Sequence, residues 1–180
     1  MLDFKSIEAL LQEVLYAHKL MMSHYKTPEL DIQVKADDTP VTAADIVVHD
    51  YLTASLTKLT PGVRVVSEED APDPSEVKGD HWLVDPLDGT KGFIEGTGQF
   101  TINLALMHAG KPVFGLISHP VTGEIYLTAK GGAYCVKQDG SWQQLGEVSY
   151  NGPLRVVMGP TRKNDSDMIL HQELGLLAAS

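Results

Sequence analysis

W-L-V-D-P-L-D-G-T-K-G-F, residues 82–93, places two carboxylates, a proline and a glycine directly after a short apolar run. The apolar run has the composition of a buried strand, and Pro86 fixes one backbone angle and lacks an N–H, so we expect the chain to leave the sheet there. Asp85 and Asp88 would then flank a rigid turn. Hard divalent cations prefer oxygen ligands, and the turn offers both carboxylates and the carbonyl of Leu87. This pattern predicts a metal site.

The residues after Asp88 favour a phosphate site beside the metal. Gly89 tolerates backbone angles that other residues avoid, and Thr90 is a favourable N-cap, so the amides that follow would be free to bind phosphate. Acids and glycines also mark ordinary solvated turns. The pattern D-x-x-D-G alone therefore leaves two interpretations open, a metal and phosphate site or a surface turn.

The longer string resembles a known family signature. W-L-V-D-P-L-D-G-T is similar to the first motif of the inositol monophosphatase superfamily, magnesium-dependent and lithium-sensitive phosphatases that carry D-P-[LI]-D-G-T after a W-[LIV]-[LIV] strand. Two upstream pieces match in the same order. Residues 35–45, K-A-D-D-T-P-V-T-A-A-D, resemble K-x-D-x-x-P-V-T-x-A-D, and residues 67–69 resemble the family's S-E-E or G-E-E. The resemblance runs from about Leu2 to about Leu176.

Within the superfamily, Ser67 and Lys91 look more like the 3'(2'),5'-bisphosphate nucleotidases of sulfur assimilation than the inositol enzymes. The inositol enzymes usually carry T-x-N-F where this chain has T-K-G-F, residues 90–93. The substrate implied is a small molecule, 3'-phosphoadenosine 5'-phosphate, which would lose its 3'-phosphate. An inositol monophosphatase-like phosphatase is the alternative. The resemblance leaves a homodimer open, and it implies that this chain is the N-terminal half of a layered αβαβα sandwich.

The resemblance also implies metal ligands. Glu68, Asp85 and the carbonyl of Leu87 would hold a first Mg²⁺, while Asp85 and Asp88 would hold part of a second. Two or three Mg²⁺ ions are implied, with Mn²⁺ as a substitute and Li⁺ as an inhibitor. Relatives of this type continue into a C-terminal half whose W-D-x-A-A-G motif supplies a further aspartate. That motif does not occur in this sequence.

For catalysis the resemblance implies in-line attack of water on a phosphomonoester, with Asp45, Thr90 and Glu68 in the catalytic set. Thr90 and Asp45 would orient the water and relay its proton. The substrate phosphate would contact the turn at Leu87, Asp88, Gly89, Thr90 and Lys91. Asp45 has a second interpretation, because with Thr42 it fits a capping box that starts a helix. The two roles can coexist.

Two other classes of protein are weighed. Haloacid-dehalogenase phosphatases also place acids and a threonine after a strand, but their two acids are two residues apart, whereas Asp85 and Asp88 are three apart with a proline between them. The other class is non-catalytic: a truncated domain that binds metal weakly, folds or dimerises. The missing C-terminal motif supports that alternative.

Composition limits the partners. The chain has 180 residues, a formal net charge of −10 and a sequence pI near 5.0, which argues against a nucleic acid polymer as partner. The single cysteine, Cys135, excludes an intrachain disulfide and suits a reducing cytosol. No apolar run approaches membrane-spanning length, and the N-terminus lacks the basic region of a signal peptide. We expect a cytoplasmic protein and leave open a peripheral position at the cytoplasmic face of the membrane.

The patterns predict an α+β fold, an antiparallel sheet covered by two N-terminal helices. The helices are expected at about 3–25 and 41–59, the second with five apolar residues facing inward: Ile46, Val47, Leu52, Leu56 and Leu59. Hairpins are expected at 100–118 and 125–136, and 137–152 is expected to be a polar loop. We assign 1–150 to an N-terminal metal- and phosphate-binding domain. Residues 151–180, with a strand at 154–158 and a helix at 165–177, would begin a truncated C-terminal α/β domain.

Overall fold

The computed structural model describes residues 2–27, 32–34, 40–70 and 77–146. Within them the helices are α1 (Phe4–His24), α2 (Ala43–Leu59) and α3 (Thr90–Ile94), with a 3-10 turn at Glu68–Asp70. The strands are β1 (Ile32–Val34), β2 (Pro40–Thr42), β3 (Arg64–Ser67), β4 (His81–Asp88), β5 (Thr101–His108), β6 (Lys111–His119), β7 (Glu124–Ala129), β8 (Gly132–Val136) and β9 (Trp142–Leu145).

The chain divides by contacts into two units, Met1–Gly146 and Glu147–Ser180, and all described residues belong to the first. The strand expected at 154–158, the helix expected at 165–177 and the domain expected at 151–180 lie outside the described residues. So does the stretch 35–39 of the upstream motif.

Helix α1 forms where the apolar periodicity predicts it. The carboxylate of Asp3 caps its first turn by accepting a hydrogen bond of 2.8 Å from the amide of Ser6. One stripe of the helix is buried, consisting of Ile7, Leu10, Leu11, Val14, Ala17, His18 and Met21. His18 is a core histidine, and it hydrogen-bonds the hydroxyl of Ser118 on β6. In the part of the chain that is described, none of the helices combines the length and apolarity of a membrane span.

Helix α2 is present as predicted, but its inward face differs in part. Leu52 and Leu56 are buried, whereas Ile46 is 45% exposed and Val47 is 36% exposed, so the expectation for these two is wrong. The buried stripe instead begins at Ala44 and continues at four-residue intervals. Positions 46 and 47 point away from that stripe because each helical residue rotates by about 100°.

The larger sheet has seven strands in the order β3-β4-β5-β6-β7-β8-β9. The predicted hairpins are confirmed as the antiparallel pairs β5–β6 and β7–β8. β3 and β4, by contrast, are parallel. β9 lies in the stretch expected to be a loop, and it pairs with β8 while the Trp142 ring packs 5.7 Å from the Tyr134 ring. The loop expectation is therefore wrong for 142–145, because cross-strand packing compensates for the polar sequence.

The two long helices cover one face of this sheet, as predicted. Side chains alternate along each strand, so every second residue faces the helices and is buried. On β4 and β5 these include Trp82, Val84, Ile102 and Leu104. α1 packs on α2, and α2 packs on β3 and β4. The strands that carry the acidic motifs therefore pack against the hydrophobic core.

Candidate metal and phosphate site

The central motif lies at the end of β4, which continues through Pro86 instead of leaving the sheet. Asp85 pairs with Asn103 and Asp88 pairs with Thr101, so an advance of three residues along β4 corresponds to two residues along β5. This irregularity is that of a bulge. The expectation that the chain leaves the sheet at Pro86 is wrong, because the bulge accommodates the missing proline N–H and pairing resumes at Asp88.

Parallel pairing of β3 with β4 brings a second acid to the same edge. Ser67 is the Cα partner of Val84, so the next residues on each strand, Glu68 and Asp85, are neighbours. Their side chains are within hydrogen-bonding distance of each other. The two motifs are remote in sequence, and they meet because parallel strands end at the same edge of a sheet.

The acids at this edge repel one another. The pKa of Asp85 is raised from 3.8 to about 7, first by burial and then by the negative charges of Glu68 and Asp88. A divalent cation would relieve that repulsion and favour the ionised carboxylate, so this set of hard oxygen donors fits Mg²⁺. Among the described residues no three His, Cys, Asp or Glu side chains converge into a complete metal site. A metal here would therefore need further oxygen ligands from carbonyl groups, water or substrate.

The turn after Asp88 is built as tightly as its sequence indicates. Gly89 has φ of 91°, and a Cβ at this residue would lie 2.6 Å from the carbonyl oxygen of Gln99, so a side chain is excluded there. Gly89, and not Thr90 as expected, is the N-cap of α3. The Thr90 hydroxyl donates a hydrogen bond of 3.2 Å to the carbonyl of Leu87. That carbonyl, a predicted metal ligand, keeps a second lone pair for another partner.

Asp45 is buried at the start of α2, 2% exposed. Its Oδ2 accepts hydrogen bonds from the amide of Thr42, at 2.7 Å, and from the hydroxyl of Thr42, at 2.6 Å. Burial raises its pKa, although the bonds from Thr42 oppose the rise and the charge of Glu69 adds to it. The capping interpretation is confirmed. The hydroxyl of Thr90 donates to the carbonyl of Leu87, so the predicted contact between Asp45 and Thr90 is not made here. α3 nevertheless packs against β2, the strand that precedes α2.

Two further predicted residues lie at the rim of the site. The Asp88 carboxylate is exposed and accepts a hydrogen bond of 2.9 Å from the side-chain amide of Asn103. Lys91 is also exposed, and its ammonium lies 3.8 Å from the carboxylate of Glu95 one helical turn later. Asp88 is therefore held toward β5, whereas Lys91 can reach outward from α3.

Asn103 and His49 were not found from the sequence. Asn103 stands opposite Asp85 in the β4–β5 ladder and binds Asp88, so it orients the second acid of the motif. His49 lies on α2 and hydrogen-bonds Ser67 at 2.8 Å. The hairpin predicted at 100–118 could have drawn attention to Asn103, because a polar residue in an apolar strand beside an acidic motif is unusual.

A cavity of about 690 Å³ opens on the face of the sheet opposite the helices. Glu68, Asp85 and Asn103 line one part of it, and most of the remaining lining is apolar, including Leu83 and Ile117. The carboxylates of this lining lie in the acidic part, and they are the ligands that Mg²⁺ prefers, so the candidate site is that part and not the cavity as a whole.

Comparison with known proteins identifies the family. Residues 5–171 match the model of the inositol monophosphatase family. The chain belongs to this family. The matched range includes the 35–45, 67–69 and 82–93 motifs, so the resemblance described from the sequence is confirmed.

Family members that are similar to the chain include a nucleotidase and two solved structures. The 3'(2'),5'-bisphosphate nucleotidase CysQ of Escherichia coli K12 is 47% identical over 118 residues, which are 64% of this chain and 48% of that protein. The crystal structure of CysQ from Bacteroides thetaiotaomicron superposes with a TM-score of 0.69 at 30% identity, covering 95% of this chain and 69% of that one. An IMPase/NADP phosphatase complexed with Mg²⁺ and phosphate has a TM-score of 0.59 at 22% identity over 73% of this chain and 49% of that one.

The family fold is therefore shared with both solved structures. The chain spans about half the length of the Escherichia coli relative it matches.

Proposed function

We propose that this chain carries the metal- and phosphate-binding part of a Mg²⁺-dependent phosphomonoesterase that removes the 3'-phosphate of 3'-phosphoadenosine 5'-phosphate. The observation that supports it most directly is the contact between Glu68 and Asp85 at the edge of the sheet, where the pKa of Asp85 is raised to about 7. Two carboxylates held together in a partly buried place are costly without a cation. A purely structural role does not explain why two carboxylates that repel each other occupy these positions.

In this proposal Glu68, Asp85 and the Leu87 carbonyl would hold one Mg²⁺, and Asp85 with Asp88 would contribute to a second. Bound Mg²⁺ lowers the pKa of a coordinated water and offsets the charge of the phosphate. Asn103 keeps the Asp88 carboxylate in place through its 2.9 Å hydrogen bond. The backbone amides of Gly89 and Thr90 would bind the phosphate, with little help from a helix dipole because α3 has only five residues.

Proton transfer in this proposal uses Thr90 and Asp45. The Thr90 hydroxyl accepts a proton from the attacking water while it passes its own to Asp45, so one proton is gained and one lost at the same oxygen. This requires the hydroxyl to rotate from Leu87 toward Asp45. Burial raises the pKa of Asp45, which makes its carboxylate a better proton acceptor than an exposed aspartate.

The nucleotide is favoured over inositol phosphate by Ser67 and Lys91 and by the 47% identity to a protein named 3'(2'),5'-bisphosphate nucleotidase. An exposed ammonium beside the phosphate turn suits a substrate with two phosphate groups. An inositol monophosphatase-like activity is the second candidate, supported by the family match.

The same proposal includes the biological setting that the nucleotidases imply. It comprises sulfur assimilation in the cytoplasm, a requirement for Mg²⁺ that Mn²⁺ replaces, and inhibition by Li⁺. A homodimer is compatible with it. Non-catalytic metal binding by the chain alone is the competing proposal.

The test measures phosphate release by the purified chain with Mg²⁺, from 3'-phosphoadenosine 5'-phosphate and from inositol 1-phosphate in parallel. We expect faster release from the nucleotide, and none from either substrate by Asp85→Asn. Faster release from inositol 1-phosphate would reverse the choice of substrate. Metal binding without release from either substrate would support the non-catalytic proposal instead.

A further inference from the structure

The His49 ring faces both ends of the turn that carries Glu68. Its Nδ1 shares a hydrogen bond of 2.8 Å with the hydroxyl of Ser67, the residue before the turn. Its Nε2 lies 3.8 Å from a carboxylate oxygen of Asp70, the last residue of the turn, and 3.9 Å from one of Asp50. A single ring on α2 therefore contacts both ends of the 3-10 turn Glu68–Asp70: the residue before it and its last residue.

Further hydrogen bonds link the same groups. The amide of Ser67 donates to Oδ2 of Asp70 at 3.2 Å, and the amide of Glu69 donates to the Ser67 hydroxyl at 3.4 Å. Ser67 is fully buried, and the His49 side chain is only 16% exposed. The hydroxyl of Ser67 is therefore the point at which the helix, the strand and the turn are joined.

Glu68 itself is exposed at the end of β3. The direction of its carboxylate depends on the conformation of the turn, because a 3-10 turn of three residues has few hydrogen bonds of its own. Groups behind a metal ligand that fix its orientation commonly decide how tightly the metal is held. His49, from another element, contacts Ser67 and Asp70 at the two ends of this turn.

We propose that His49 is a positioning residue for the metal site, which acts through its hydrogen bond to the Ser67 hydroxyl to hold the Glu68 turn against Asp85. It is not one of the metal or phosphate ligands of the proposed function. The inference rests on the metal site of the proposed function, and it adds a residue outside the sequence motifs. Its role follows from the geometry of the ring and does not depend on its charge.

The experiment measures Mn²⁺ affinity of the purified chain from the electron paramagnetic resonance signal of free Mn²⁺, with thermal unfolding recorded for every variant. We expect His49→Ala to weaken Mn²⁺ binding about tenfold or more, the usual effect of losing a group behind a metal ligand. The variant His49→Asn should recover most of the affinity, because its amide lies where Nδ1 was. His49→Gln, whose amide lies where Nε2 was, is the matched control and should not.

A double-mutant cycle with Ser67→Ala tests the route. If His49 acts through Ser67, His49→Ala should weaken binding much less in the Ser67→Ala background than in the wild type. Fully additive effects would overturn the inference, as would unchanged affinity in His49→Ala. Should His49→Ala fail to fold, the Asn and Gln variants decide, and equal affinities in those two would overturn it.

Asp85→Asn separates this inference from the proposed function. If the wild type binds no Mn²⁺, the metal site is wrong and the role of His49 falls with it. If the wild type binds Mn²⁺, Asp85→Asn does not, and His49→Ala equals the wild type, only the positioning role is overturned.

Discussion

The side chains of Glu68 and Asp85 meet at the carboxyl ends of two parallel strands, where the register pairs Ser67 with Val84. Burial and the charges of Glu68 and Asp88 together raise the pKa of Asp85 to about 7. A proton and a metal ion therefore compete for the carboxylate of Asp85. This competition makes metal affinity depend on pH and makes the metal-free fold sensitive to the charge of Asp85.

Metal affinity should rise steeply with pH through about 7. Below that pH Asp85 carries a proton that a metal must displace, whereas above it the carboxylate is already ionised. Mn²⁺ titrations at about pH 6 and about pH 8 should differ by roughly tenfold, because the ionised fraction of a carboxyl group with a pKa of about 7 rises about tenfold over that range. Equal affinities at the two pH values would show that Asp85 does not bind the metal.

Asp85→Asn should abolish metal binding and at the same time stabilise the metal-free fold near pH 8. The amide is neutral, so the repulsion that raises the pKa of Asp85 disappears together with the metal ligand. Calorimetric titration and thermal unfolding without metal measure the two effects. Asp139→Asn is a control of the same chemistry at an exposed turn, where the carboxylate accepts a bond from the amide of Ser141. A lowered melting temperature for Asp85→Asn without metal would contradict the repulsion argument.

Asp45→Asn separates the proton relay from the helix cap. As a cap, Asn is nearly as good as Asp, so the free energy of unfolding should fall by roughly 1 kcal/mol or less. As a proton acceptor, an amide cannot replace a carboxylate, and turnover should fall on the order of a hundredfold or more.

Thermal unfolding and turnover at saturating Mg²⁺ are compared with those of wild type. Collapsed turnover with a near-native melting temperature supports the relay. Unchanged turnover with a lowered melting temperature leaves Asp45 as a cap only.

The stability of the fold should fall as the pH drops from about 6.5 to about 4, partly because of His18. Burial first, and then the nearby His119, lower the pKa of His18 from 6.5 to about 4. In this window the unfolded chain binds a proton at His18 that the folded chain does not bind, so acid favours unfolding. The shift corresponds to a loss on the order of 3 kcal/mol across the window.

Denaturant unfolding at several pH values measures this loss. His18→Gln removes the titrating group, and its stability should depend less on pH over the same range. Equal pH dependence in wild type and His18→Gln would assign the effect to other groups.

Local features of the fold were predictable because they depend on residues close together in sequence. The apolar stripe of α1, the hairpins β5–β6 and β7–β8, and the capping contact between Asp45 and Thr42 are all confirmed. Ile46 and Val47 were misplaced because an apolar residue in a helix does not by itself reveal which stripe packs on the sheet. β9 was missed because its polar residues are held by their partners on β8.

The sequence by itself determined the family, the acids of the motif and the tight turn at Gly89, because each depends on residue type and local spacing. The resemblance implied that Glu68 and Asp85 lie together, and the tertiary structure shows that parallel strands bring them to one edge of the sheet. Only the tertiary structure decided that Asn103 binds Asp88 and that His49 contacts Ser67. These contacts join separate elements. They follow from the register of one strand on the next and from the packing of α2 on the sheet, and neither is encoded in any single stretch of the chain.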